Sequence, residues 1–227
     1  MINEILFGSV AIMSFVLILA ALKLGKDYVL VIPPVYLILA NIFAPQFVTF
    51  FGLTTTLAVP IYASIFLATD IIAEHYGKKE AYKVVWAGLL SQIALVVFSQ
   101  LVLHAEVIPM NEAMNEALKV VFSFTPRLVA GSFVAYMVSQ HYDVWFFHLL
   151  KDKFKGRHIW LRNNMSTMTS QFIDTAILIS IAFWGILPNL FTFILVVWVV
   201  KVLIAASDTP FIYLSYKILK KPYPKQG

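Results

Sequence analysis

Apolar residues run along this chain in long blocks separated by short charged connections. The blocks have the length of bilayer-crossing helices, about 20 residues, the form in which a backbone satisfies its own hydrogen bonds in lipid. The first is Ile5 to Leu22, preceded by Glu4 and no basic residue, so it reads as a retained span rather than a signal peptide. Tyr28 to Thr69 then holds 42 residues without Asp, Glu, Lys or Arg, too many for one helix. Pro45 and the stretch Gly52 to Thr56 predict a break, with spans near Val29 to Ala44 and Leu57 to Ile72. Further blocks follow at Val84 to Leu103, Arg127 to Leu150, Asn164 to Trp184 and, after "GILPN", Leu190 to Tyr216. The expectation is an all-α polytopic membrane bundle of six to seven transmembrane helices in a single domain, residues 1–227. Seven applies if every block crosses, six if one proline-broken segment is re-entrant.

Charge orients the blocks. Alternate connections carry Lys23 and Lys26; Lys78, Lys79 and Lys83; Lys151, Lys153, Lys155, Arg157 and Arg162; and Lys217, Lys220, Lys221 and Lys225, which is 14 of the 17 basic residues on one side. The other side is nearly free of them, and His104 to Thr125 sets Glu106, Glu112 and Glu116 against Lys119. Basic residues mark the cytoplasmic side, so seven spans place the amino end outside. The same distribution explains the net charge of +5 without a nucleic-acid partner, and 60% hydrophobic against 13% charged residues leaves a lipid membrane as the surroundings. Cysteine is absent, which excludes disulfides and thiolate chemistry. The five histidines show no ligand spacing and no phosphate-loop, nucleophile-elbow or zinc-protease pattern occurs, so neither metal nor cofactor is expected and the chain does not read as an enzyme.

A charge at the centre of a membrane helix costs at least about 2.5–3.5 kcal/mol, so the charges inside the blocks are the candidates for function. They are Asp70 and Glu74, one turn apart; Arg127; Asp143; Asp174; and Lys201 with Asp208, two turns apart and followed by Pro210. Two stretches repeat a pattern: "SQHYD" at Ser139 to Asp143 and "SQFID" at Ser170 to Asp174 each set a glutamine three residues before an aspartate. A carboxylate accepts and an amide both donates and accepts, so Gln140 with Asp143 and Gln171 with Asp174 suit a ligand with adjacent donors and acceptors. Amides in membrane helices equally serve as interhelical glue, and any one acid can be half of an ion pair with Arg127 or Lys201. The two spans run antiparallel, so the repeats predict a two-sided clamp with both acids about 12–18 Å from the basic loop. Asn163, Asn164 and Ser166, after that loop, can cap a helix start.

Four stretches carry a resemblance: "TDIIAEHYGKKEAYKVVW" (Thr69 to Trp86), "RLVAGSFVAYMVSQHYDVWFFHLLK" (Arg127 to Lys151), "GRHIWLRNNMSTMTSQFIDTAILISIAF" (Gly156 to Phe183) and "DTPFIYL" (Asp208 to Leu214). From about Asn41 onward the chain resembles the vitamin uptake transporter family of prokaryotes and, within it, the queuosine precursor transporters. The resemblance implies a multi-pass protein of the cell inner membrane that takes up 7-deazaguanine bases, with kinship to the six-helix substrate-binding subunits of energy-coupling-factor transporters. Nothing here encodes an ATPase, so energy comes from an ion gradient, a partner module or metabolic trapping, and a homodimer or an energising module stays open as partner. The expected site is Asp143, Gln140, Asp174, Gln171, Asn163 and Arg127, with Asp70, Glu74, Lys201 and Asp208 as counter-charges, gates or proton carriers and Trp145, Phe147 and Phe183 to stack on the base. The alternatives are a binding subunit for another vitamin or purine-like solute, and an intramembrane lipid enzyme using Asp70 and Glu74.

Overall fold

The computed structural model describes residues 2–44, 46–122, 126–185 and 189–223. Among these the chain forms α1 (Ile2–Leu24), α2 (Lys26–Phe43), a hairpin of β1 (Phe47–Phe50) and β2 (Leu53–Thr56), α3 (Ala58–Tyr76), α4 (Lys78–Leu103), α5 (Glu112–Phe122), α6 (Pro126–Lys153), α7 (Ile159–Phe183) and α8 (Leu190–Ile218). Each of the seven expected blocks is one continuous helix, and α8 continues through Pro210. By length and composition alone α1, α2, α4 and α8 qualify as spans, and a fifth is reached if α6 is joined to the short helices before it. Of the helices that fall short, α3 and α7 carry many of the buried polar residues, and α8, which qualifies, adds Lys201 and Asp208.

The uncharged 42-residue block is broken by the hairpin. Phe50 pairs with Leu53, leaving Phe51 and Gly52 as a two-residue turn with φ of 47° and 79°. Positive φ at both positions is the type I′ geometry that matches strand twist. Pro45, the other predicted breaker, lies outside the described residues, as do part of the "GILPN" turn and Lys225. The hairpin is tied to the start of α1: Asn3 Nδ2 donates to the Thr49 carbonyl (3.0 Å), the Phe51 N–H donates to Glu4 Oε1 (3.1 Å), and the rings of Phe7 and Phe50 stack at 4.2 Å.

This contact puts the amino end and the hairpin at one end of the bundle. At the other end Lys26 and Lys83 pair with Glu80, Lys151 pairs with Glu74, and Lys221 donates to the His75 carbonyl. The basic connections therefore gather on one face, which the charge rule makes cytoplasmic.

Central to the bundle is α3, packed against α1, α2, α4, α6, α7 and α8. Every residue from Ala63 to Ala73 is buried, Ser64, Thr69 and Asp70 among them, as a central position against six helices entails. Gly88 lets α4 approach α6, since a Cβ there would collide with the Tyr136 hydroxyl. Trp86, Trp160 and Trp184 are exposed, as expected of membrane-facing anchors.

Candidate functional site

One face of α7 places Asn163, Ser166, Thr167, Ser170, Gln171, Asp174 and Thr175 in a single buried stripe, because residues three and four apart stack along a helix. Bonded to it are Tyr62, Asp70 and Glu74 of α3, Ser139 and Asp143 of α6, and Lys201 and Asp208 of α8, with the buried Gln140 next to Ser139 in the chain. Together they make a polar column along the bundle axis, and the numbering of α7 orders its layers.

Outermost is a cavity of about 450 Å³ between the hairpin end of α2, the start of α3 and the outer ends of α6, α7 and α8. Its wall includes Asn41, Gln92 and Phe183, and Tyr62, Asp174 and Lys201 reach into its floor. Asp174 is fully satisfied: Oδ2 meets Lys201 Nζ at 2.8 Å, while Oδ1 accepts from the Tyr62 hydroxyl (2.7 Å) and the Ser139 hydroxyl (3.1 Å). The Lys201 ammonium also lies 5.1 Å from the Tyr62 ring centre.

Further in, the repeated pattern explains itself. Ser139 of the first repeat donates to Asp174 of the second, and Ser170 of the second donates to Asp143 of the first at 2.7 Å. Crosswise pairing is what two identical patterns on antiparallel helices produce, and it sets the two acids about one turn apart in depth. Gln140 and Gln171 are wholly buried in this zone, and neither end of either amide meets a hydrogen-bond partner among the described residues.

Below lie Asp70, which accepts from the Thr167 hydroxyl at 3.0 Å, and Asp208, which accepts from Asn163 Nδ2 at 2.8 Å. The cytoplasmic end is shut by Glu74. Its carboxylate takes a fork from Arg162 (2.9 and 3.2 Å), an ion pair from Lys151 (2.9 Å) and the Tyr216 hydroxyl. Arg162 is completely buried, stacks over Phe147 at 5.1 Å and also donates to the carbonyls of Gly156 and Arg157. This one cluster ties α3, α6, α7 and α8 together.

Of the expected residues, the column gathers Asp70, Glu74, Gln140, Asp143, Asn163, Gln171, Asp174, Lys201 and Asp208. Arg127 is a correction. It is exposed at the outer start of α6, where its guanidinium donates to the carbonyls of Ile181 (3.1 Å) and Trp184 (3.0 Å) at the end of α7. A cation there meets the negative end of a helix dipole, which is sufficient reason for its presence. Neither does Trp145 join the site, being 45% exposed, and Phe147 is occupied by Arg162. The asparagines are not caps, because α7 begins at Ile159, a turn earlier than expected. Asn163 reaches Asp208, and Asn164 bonds Thr209 Oγ1. Residues not singled out beforehand are Arg162, Tyr62, Thr167, Tyr216 and the two serines of the repeats. The stripe spacing on α7 is the signal that points to Arg162 and Thr167, whereas nothing local marks Tyr62 or Tyr216.

Removing one partner of a buried ion pair leaves the other charge stranded, at about 3–5 kcal/mol. Asp174→Asn and Lys201→Met are each expected to lower stability strongly, and the double variant to recover most of it, since the hydroxyls of Tyr62 and Ser139 tolerate a neutral partner. Thermal unfolding of the three variants in detergent checks this; equal losses that simply add in the double variant would contradict it.

Comparison with known proteins agrees with the geometry. A family model described as "Putative vitamin uptake transporter" matches residues 56–215, which contain the column from Tyr62 to Asp208. A protein of Bacillus subtilis (strain 168) described as "Probable queuosine precursor transporter" is 34% identical over 213 residues, covering 92% of this chain and 93% of that one. No solved structure matches. The chain therefore belongs to the vitamin uptake transporter family and is a multi-pass membrane transporter, not an enzyme.

Proposed function

We propose that this chain carries a queuosine precursor, a 7-deazaguanine base, across the inner membrane along the polar column. The observation that carries the reading is the pair of buried amides, Gln140 and Gln171, whose four polar atoms have no partner among the described residues. An unpaired buried amide costs about 1–3 kcal/mol, so two of them in adjacent helices suit a ligand that completes their hydrogen bonds. A guanine-like pairing edge offers neighbouring N–H donors and a carbonyl acceptor, which is what two amides and a carboxylate can read. The base enters from the outer cavity, whose volume is within the range of small-molecule sites. It passes the Asp174–Lys201 pair and is read by the amides with Asp143 beside them. Opening of the Glu74 cluster releases it to the cytoplasm. The relative's name supports the substrate class, and its near-complete coverage of both chains supports carrying that class over.

Direct binding to the purified protein tests this. A 7-deazaguanine base is expected to raise the unfolding temperature, the gain at a hundredfold excess over Kd being about 2.7 kcal/mol. Binding of an unrelated vitamin with no response to any 7-deazaguanine or guanine base overturns the reading. Uptake by the protein alone in liposomes excludes a strict need for an energising module.

A further inference from the structure

The buried acids divide into two kinds. Asp174 has Lys201, and Glu74 has Arg162 and Lys151. Asp70, Asp143 and Asp208 come from three different helices, are 0%, 0% and 1% exposed, and are held only by neutral donors: Thr167, Ser170 and Asn163. Asp70 and Asp143 are anchored on Thr167 and Ser170, three residues apart on one face of α7, and Asp208 is anchored on Asn163, one turn further along that face. Oδ1 of Asp70 and Oδ2 of Asp143 receive no hydrogen bond from any described residue. Oδ1 of Asn163 is also buried without a partner, while the amide nitrogen of the same side chain is anchored on Asp208, so this oxygen too lies at the cluster.

Among the described residues, other charged groups on the helices that carry the cluster are engaged, on α6 Lys151 with Glu74 and His141 with the Met137 carbonyl. On α3 the next turn carries Glu74; on α7 the charged residue is Arg162, bound to Glu74; on α8 Lys201 is bound to Asp174. The buried face of α1 has no ionisable residue apart from its contact with Tyr36 of α2, whose hydroxyl donates to the Ser14 carbonyl. Three carboxylates removed from water without a countercharge cannot all stay charged at tolerable cost, so positive charge has to arrive from outside the chain. Among the described residues no group of three or more Asp, Glu, His or Cys converges as metal ligands do, which leaves the smallest cation as the fitting one.

We propose that Asp70, Asp143 and Asp208 form a proton-binding station that couples movement of the base to the proton gradient. The proton arrives from the outer cavity, is held between the facing carboxyls of Asp70 and Asp143, and leaves to the cytoplasm when the Glu74 cluster parts. The station sits between the amides that read the base and the closed inner end, so its occupancy and the opening of that end act on the same helices, α3, α6, α7 and α8. This proposal rests on the uptake reading, and its test has one arm that does not.

In the first arm, purified protein without any base is followed by infrared spectroscopy across a pH titration. A protonated-carboxyl signal is expected at neutral pH that is lost or shifted in Asp70→Asn and in Asp143→Asn. A spectrum in which both variants keep the full wild-type signal overturns the station. In the second arm, wild-type protein in liposomes takes up a radiolabelled 7-deazaguanine base with the outside acidified by one unit. Accumulation is expected to approach about tenfold for one proton per base and to collapse with a protonophore. Accumulation indifferent to the pH gradient, or driven by sodium instead, overturns the coupling. If wild-type protein moves no such base at all, the uptake reading falls and the infrared arm alone decides whether the station exists.

Discussion

Gln140→Met with Gln171→Met is expected to make the protein more stable and unable to transport. Both side chains are fully enclosed and meet no partner among the described residues, so each amide carries a burial cost that a methionine of similar shape does not. The expected gain is about 1–3 kcal/mol for each position, read as a higher unfolding temperature in detergent. Uptake should fall at least tenfold, because losing one hydrogen bond of about 1.4 kcal/mol to the base already costs that factor in affinity. The two readouts move in opposite directions, which a merely structural pair of amides cannot produce. Interhelical glue predicts loss of stability together with loss of transport, and that result would remove these glutamines from the site.

The second large effect belongs to Arg162. Its fork holds Glu74 while its remaining donors hold the carbonyls of Gly156 and Arg157, and its plane lies over Phe147. Arg162→Met is expected to cost about 3–5 kcal/mol, as breaking a buried pair does, and to reduce the amount of protein in the membrane. Arg162→Lys should not rescue it, because an ammonium can neither fork a carboxylate nor span the backbone acceptors. Pairing Arg162→Met with Glu74→Gln is expected to restore much of the folding, since no stranded carboxylate remains. Cysteine labelling from the cytoplasmic side, with the label placed at Ser166 in this otherwise cysteine-free chain, then reports whether the inner end stays shut. Equal labelling of the double variant and the Ser166→Cys parent would show that the cluster does not close the column.

Much of this architecture was legible before any coordinates. The seven helices follow from block lengths, because lipid offers a backbone no partner but itself and so forces apolar residues into helix-long runs. The break in the uncharged block was visible at Gly52, although its form, a hairpin strapped to Asn3 and Glu4, was not. Its strands are four residues each and lack the alternation that would mark them. The column acids are legible from cost alone, since Asp70, Asp143, Asp174 and Asp208 stay inside apolar helices only for function or for an ion pair, and Asp174 has such a pair with Lys201. In the sequence Arg162 counts as a loop charge because the expected start of α7 is Asn164, and Arg127 enters the expected site as a donor to the base. The carbonyls at the end of α7 serve it equally well.

By itself, then, the sequence determined the seven long helices, though not the short α5 that lies in the connection before α6, which groups are too costly to be incidental, and the family. These depend on short-range facts: run length, loop charge and the solvation of single residues. Only the tertiary structure decided the pairings: that Asp174 takes Lys201, that Glu74 takes Arg162 and Lys151, that the two repeats bond crosswise, and that Asp70, Asp143 and Asp208 take neutral donors of α7. Each pairing joins helices far apart in the chain, and its geometry is set by how α3, α6, α7 and α8 rotate and pack against one another, information that the spacing within any one helix does not contain.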